Sequence, residues 1–166
     1  MKQRFRFLAT IVAVVTIALC APMALRAAEP HIIPQPAYID MSAEGICEIT
    51  GKTHLVADKE LHNPAERFAE DMMEYFDLKR PMTVSRSGKG IKMRIDHFVP
   101  EEGYEMTIDQ MGIWIIGGSE AGIYYGLQTL RQLIVQYEGK IPYCYIADEP
   151  TFAYRGAHLD VARHFF

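Results

Sequence analysis

Tyr104-Glu-Met-Thr-Ile-Asp109, Gln110-Met-Gly112, Ile113-Trp-Ile-Ile-Gly117 and Gly118-Ser-Glu-Ala-Gly-Ile-Tyr-Tyr-Gly-Leu-Gln-Thr-Leu-Arg-Gln-Leu-Ile134 form one unbroken passage with two different periods. From Tyr104 to Asp109 apolar and polar residues alternate, the period of a strand with one buried face. Gln110-Met111-Gly112 turns the chain, and Ile113–Ile116 continues as a buried strand. At Gly117-Gly118-Ser119 the period changes. Ile123, Leu127, Leu130 and Ile134 recur at the spacing of a helix with a single apolar stripe, and Ser119 stands where an N-cap belongs. Gly122 and Gly126, four apart, leave a smooth strip on this helix where another backbone can approach closely.

Working outward, the flanks read as more sheet and one more helix. Ala37–Met41 is an extended entry kept off helix by Pro34 and Pro36. Ile46–Ile49 and Thr53–Val56 flank Thr50-Gly51-Lys52 as a short hairpin. Asn63-Pro64 opens a helix, with Asn63 as cap and Pro64 at the first helical position. Its apolar side is Phe68, Met72, Tyr75 and Phe76, and Lys79-Arg80-Pro81 ends it. Met82–Ser85, Ile91–Asp96 and Ile141–Ala147 are further strands. Residues 29–150 therefore read as an α+β domain: an antiparallel-rich sheet of six to eight strands, with two helices packed on one face. Asp148-Glu149-Pro150 reads as a linker, and residues 151–166 as the first strand of a second domain.

The composition is that of a globular protein. The 166 residues are 49% hydrophobic and 23% charged, which excludes a disordered chain. With 17 Lys+Arg against 21 Asp+Glu and no basic cluster, the chain lacks the electropositive face that nucleic acid requires. The first 28 residues stand apart. Lys2, Arg4 and Arg6 precede an apolar run from Phe7 to Leu19, too short for a stable membrane span, and small residues follow. This is the pattern of a secretory signal peptide, and it predicts export to the periplasm, cell surface or medium. Cys20 offers lipidation as an alternative, although Leu19 before it is a poor fit to that kind of cleavage. Removing residues 1–28 takes away four basic residues and no acid, leaving 13 against 21 and a net charge of −8. Such a surface disfavours anionic partners. Cys47 and Cys144 remain, and two buried free thiols is the more economical reading than a bridge.

Two segments together resemble one family. Gly122-Ile-Tyr-Tyr-Gly-Leu-Gln-Thr-Leu-Arg-Gln-Leu133 and Tyr154-Arg-Gly-Ala-His-Leu-Asp-Val-Ala-Arg-His-Phe165 are similar to segments of glycoside hydrolase family 20, the β-N-acetylhexosaminidases, and Ile33-Pro-Gln-Pro36 fits the family's opening. The resemblance implies a non-catalytic α+β domain over residues 29–150, followed over 151–166 by the first strand of a (β/α)8 barrel. Such a barrel needs about 250 residues and lies beyond Phe166. It also implies substrate-assisted retention: the substrate's own acetamido oxygen attacks the anomeric carbon, a Glu protonates the leaving oxygen, and an adjacent Asp orients the acetamido group. That Asp-Glu pair belongs to a later strand, so this chain by itself is expected to be inactive. The expected partner is a glycan ending in N-acetylglucosamine or N-acetylgalactosamine, with no cofactor and no metal. Arg155 matches a sugar-binding arginine, a role that suits the planar guanidinium fork. The alternative, an Arg bridging strand and linker, is the reading the residue would receive without the resemblance.

The remaining signals have bland explanations. Asp148-Glu149 and Glu70-Asp71 read as solvated acids. Asp160, Arg163 and His164 lie at the C-terminal end of the last strand, where barrel sites are built, and either contact substrate or fix the turn. His158 and His164 lack a third metal ligand, and alternation puts His158 on the face opposite Arg155, where core packing is the better reading. Gly117-Gly118-Ser119 lacks the Gly-Lys-Ser/Thr ending of a phosphate loop, so capping is favoured over anion binding. Tyr124-Tyr125 reads as packing. A second class of function, an accessory or carbohydrate-binding module, competes with the hydrolase reading.

Overall fold

The computed structural model describes residues 29–41, 43–88 and 90–158. Nine strands occur among them: β1 Tyr38–Asp40, β2 Ile46–Glu48, β3 Leu55–Val56, β4 Val84–Ser85, β5 Ile91–Ile95, β6 Tyr104–Asp109, β7 Gly112–Gly117, β8 Lys140–Pro142 and β9 Cys144–Asp148. The helices are α1, His62–Tyr75, and α2, Glu120–Gln136. Seven strands form one sheet in the order β1-β9-β6-β7-β5-β3-β4, and β2 with β8 forms a separate ribbon. The sheet is mixed. The β1–β9, β9–β6 and β6–β7 pairs are antiparallel, as is the β2–β8 ribbon, while β7–β5, β5–β3 and β3–β4 are parallel.

The alternation read in the sequence is what lays out the core. Register aligns Met93, Ile115, Met106 and Ile146 across β5, β7, β6 and β9. A second row runs Leu55, Ile91, Ile113, Ile108, Cys144. All nine side chains are buried, and they face Ile123, Leu127, Leu130 and Ile134 of α2, which are fully buried. Both helices lie on this face, with α2 over β5, β6 and β7, and α1 against α2 and β4. The other face carries Lys92, Arg94, Glu105, Thr107, Trp114 and Tyr145, and Lys92 Nζ sits 4.2 Å from the Trp114 ring centre. The smooth strip on α2 is used: a Cβ on Gly122 would run into the Gly103 carbonyl, and one on Gly126 would come within 2.7 Å of the Ile115 methyl.

Several local expectations are corrected. The Thr50-Gly51-Lys52 turn forms, with Thr53 N donating to Thr50 O at 2.8 Å. Its two arms do not pair with each other, because β2 joins β8 and β3 joins β4 and β5. Asn63 is not a cap. A 3-10 turn over Lys59–Leu61, anchored by buried Leu61, runs into α1 at His62, and no side chain caps it. Pro64 is tolerated there because the N–H groups of a first turn have no helical acceptor. The buried face of α1 is Pro64, Ala65, Phe68, Ala69 and Met72, and the helix ends at Tyr75, short of Lys79. Tyr75 is partly exposed and donates its hydroxyl to Ile134 O at 3.3 Å. Ser119, by contrast, caps α2 as expected, accepting from Ala121 N at 3.2 Å. The single strand expected over Ile141–Ala147 divides at Tyr143 into β8 and β9, which serve different sheets.

Cys47 and Cys144 are free thiols. Cys47 stands opposite Ile141 of β8, three residues before Cys144 at the start of β9. Burial pushes the Cys144 thiol up to about 12, and Cys47 adds to that shift.

Candidate functional site

The N-terminal segment, the β5–β6 loop, the outer side of α2 and the chain after β9 converge on one cleft of about 440 Å³. Its walls are held from several directions. The Gln132 side chain accepts from Ile33 N at 2.9 Å and donates to Ile33 O at 3.0 Å, and Gln136 accepts from His31 N at 3.0 Å. Asp148, half-buried at the end of β9, accepts from Ala37 N at 3.0 Å, so it fixes the entry strand where a solvated linker acid was expected. Glu149 is exposed. At the base, the buried Tyr104 hydroxyl meets Thr129 Oγ1 at 2.7 Å, and burial pushes Tyr104 up to about 12.

Arg155 lies at the rim. Its Nη1 donates to Phe152 O at 2.6 Å, and its Nη2 donates to Glu102 Oε1 at 2.8 Å and reaches Tyr125 OH at 3.5 Å. Tyr125 in turn donates to Glu102 Oε1 at 3.3 Å. The hydrogen bond to Glu102 is the main reason the guanidinium is held above its ordinary value. Glu102 was not legible as a site residue, but the glycines around it explain how it is placed. Its loop is clamped to the start of α2 by Gly118 N to Gly103 O at 3.2 Å, Ser119 Oγ to Glu101 O at 2.5 Å, and the bare Cα of Gly122. Gly118 likewise has no room for a Cβ, which would meet the Pro100 carbonyl.

The other candidates are not gathered here. Glu70 and Asp71 lie exposed on α1, and Asp71 pairs with Arg131 of α2 at 3.4 Å. His158 is exposed. Asp160, Arg163 and His164 lie outside the described residues. Tyr125 is partly buried in the Glu102 cluster, while Tyr124 is exposed beside it. Among the described residues no group of His, Cys, Asp and Glu could hold a metal, and no helix is long and apolar enough to cross a membrane.

The model of glycosyl hydrolase family 20, domain 2, matches residues 29–149. The chain belongs to glycosyl hydrolase family 20. Relatives of this family include a beta-hexosaminidase of Porphyromonas gingivalis, 33% identical over 183 aligned positions that take in 98% of this chain and 23% of that protein. A beta-hexosaminidase of Vibrio vulnificus is 28% identical, over 84% of this chain and 16% of its own length. Among solved family 20 structures, the Vibrio harveyi exo beta-N-acetylglucosaminidase in complex with N-acetylglucosamine superposes with a TM-score of 0.69 at 26% identity, covering 82% of this chain and 22% of that one. The Streptomyces plicatus N-acetyl-beta-hexosaminidase in complex with Thio-NAglucal gives 0.66 at 30%, covering 84% and 31%. The family 20 chain described here thus spans less than a third of the length of these relatives.

Proposed function

We propose that this chain is the accessory domain and opening segment of an exported β-N-acetylhexosaminidase, which removes terminal N-acetylglucosamine or N-acetylgalactosamine from glycans. The observation that carries the reading is the family 20 match over residues 29–149, continued by the Arg-Gly-x-x-Leu-Asp-x-x-Arg-His string from Arg155. The proposed chemistry is substrate-assisted. The acetamido oxygen is the nucleophile, a Glu outside this chain is the acid, and the Asp before it steadies the acetamido group. Residues 151–166 open the barrel, whose sugar site lies at the C-terminal ends of its strands.

That geometry bears on Arg155. Its fork is engaged by Glu102 and the Phe152 carbonyl, so contact with a sugar requires it to leave or share them. Arg155 remains the proposed sugar-binding residue, and Asp160, Arg163 and His164, further along the same segment, either contact substrate or fix the turn.

The test compares the full-length gene product with the 166-residue chain on a chromogenic N-acetyl-β-glucosaminide and on its 2-hydroxy analogue. Turnover of the first substrate alone, by the full-length protein alone and with retention at the anomeric carbon, is the expected result. Turnover by the 166-residue chain, or equal turnover of the analogue, refutes the reading. A full-length protein that binds glycans without turnover supports the binding-module alternative.

A further inference from the structure

The sheet face turned away from both helices carries aromatic surface outside the core. Register aligns Asp40, Tyr145, Thr107, Trp114 and Lys92 in one row across β1, β9, β6, β7 and β5. Tyr145 and Trp114 lie two strands apart, so their backbones stand about 10 Å from each other at roughly 4.8 Å per strand. Between them the row holds Thr107 alone. Side chains stand nearly perpendicular to a sheet, and the two aromatics therefore wall a trough with the small Thr107 as its floor. Each wall is buttressed on its outer side. Lys92, from β5, places Nζ 4.2 Å from the centre of the Trp114 ring, and Tyr38, from β1, packs edge-on against Tyr145 with ring centres 6.0 Å apart. The chain's one tryptophan is thus 37% exposed on an open face.

A pyranose ring offers two faces of C–H bonds and a rim of hydroxyls. Its faces pack on aromatic surface, where weakly positive hydrogens meet the negative face of the π-system. The charge pattern narrows the ligand further. β6, the floor strand, presents Glu105, Thr107 and Asp109 on this side at alternate positions: two acids and a hydroxyl, with no cation. The acids stand about 7 Å to either side of Thr107 at roughly 3.4 Å per residue. Ionised carboxylates only accept hydrogen bonds, so they complement hydroxyl and amide N–H donors and oppose sulfate or carboxylate groups. We propose that this open sheet face is a glycan-binding site of the domain itself, seating one unit of a neutral N-acetylhexosamine-containing chain over Thr107, between Trp114 and Tyr145. The choice of N-acetylhexosamine rests on the hydrolase reading above. A site on the side of the sheet opposite α2 holds the protein on a polymeric glycan and so raises the local concentration of chain ends.

The experiment uses the full-length protein with the variants Trp114→Ala, Tyr145→Ala and Thr107→Lys, the last filling the trough while leaving both walls in place. Retention on chitin beads and on heparin beads is measured by depletion in the cold, beside turnover of p-nitrophenyl N-acetyl-β-glucosaminide and thermal unfolding. Wild type is expected to bind chitin and to pass through heparin. Trp114→Ala and Thr107→Lys are each expected to weaken retention on chitin about tenfold, and Tyr145→Ala somewhat less. In all three, kcat and KM on the small substrate are expected to stay at wild-type values, with melting temperatures within a few degrees, which separates loss of this site from loss of fold. Wild type that passes through chitin, or Trp114→Ala and Thr107→Lys proteins retained as well as wild type, overturns the sheet site while turnover leaves the hydrolase reading standing. Stronger retention on heparin overturns the neutral-glycan assignment. Wild type that binds chitin through these residues but is inert on the small substrate supports the sheet site and overturns the hydrolase reading.

Discussion

Replacing Gly122 by Ala sets two effects against each other, and the contacts decide the sign. In a helix, Ala in place of Gly gains about 1 kcal/mol. Against that, the new Cβ points at the Gly103 carbonyl oxygen, a backbone atom that cannot rotate away. The β5–β6 loop must retreat, straining the Gly118 N to Gly103 O bond of 3.2 Å and the Ser119 to Glu101 bond of 2.5 Å. Each such bond is worth about 0.5–1.5 kcal/mol, and overpacking a tight contact costs about 1–3 kcal/mol. The expected net result is a loss of about 1–5 kcal/mol, or roughly 5–25 °C in melting temperature for a domain of this size. Gly126→Ala is the internal comparison. Its Cβ meets the Ile115 methyl and the Tyr104 ring, side-chain atoms that can shift, so it should lose about 1 kcal/mol or less. Val135→Ala, at a half-exposed site on the same helix, should stay within about 0.5 kcal/mol of wild type. Urea unfolding followed by far-ultraviolet circular dichroism ranks the three. Gly122→Ala as stable as wild type, or more so, would refute the close approach of loop to helix.

Two further outcomes follow from the buried groups. Thr129→Val strips the Tyr104 hydroxyl of its 2.7 Å partner and should cost about 1–3 kcal/mol, and adding Tyr104→Phe should cost less than the two single losses combined, as a double-mutant cycle in urea will show. The Cys144 thiol is raised from 9.0 to about 12 and the Tyr104 phenol from 10.0 to about 12, each chiefly by burial. Below pH 9 both groups are protonated in the folded and unfolded chains, and their contribution to stability is fully present. Above it the unfolded chain releases protons first, so stability should fall by up to about 1.4 kcal/mol per pH unit for each group until pH approaches 12. Cys144→Ala should flatten most of the loss between pH 9 and 10, and urea midpoints across that range check it. An unchanged slope would mean that the thiol is not buried as described.

The elements that announced themselves were those whose partners are close in sequence. β6, β7 and α2 follow one another directly, and each buries a face that its own period reveals, so the passage from Tyr104 to Ile134 could be read unaided. The Thr50-Gly51-Lys52 turn was equally visible, but a turn fixes only a change of direction. Where its arms go depends on Lys140–Pro142 for β2, and on Val84 and Ile91 for the two-residue β3, too short to carry a pattern. Helix α1 began earlier than its Asn-Pro signal because burial of Leu61 extended it backward through a 3-10 turn. In the site, Arg155 stood out through its surrounding motif. Glu102 did not, because an acid in a loop beside another acid looks like solvated surface until Gly103, Gly118 and Gly122 are seen to hold the loop against α2.

The pairing of the first strands with the last has a temporal consequence. β1 lies on β9 and β2 on β8, and the Ala37 amide finds its Asp148 acceptor 111 positions further along the chain. During synthesis the N-terminal segment therefore has no place to dock until almost the whole domain has emerged. The hairpin of β6 and β7 with α2 can form from local contacts alone, whereas the opening strands must wait, a delay that long sequence separation imposes on any such topology. A nascent chain halted anywhere before Ile141 should leave residues 29–49 sensitive to protease. The last strand of the domain, on emerging, completes the sheet and captures the first.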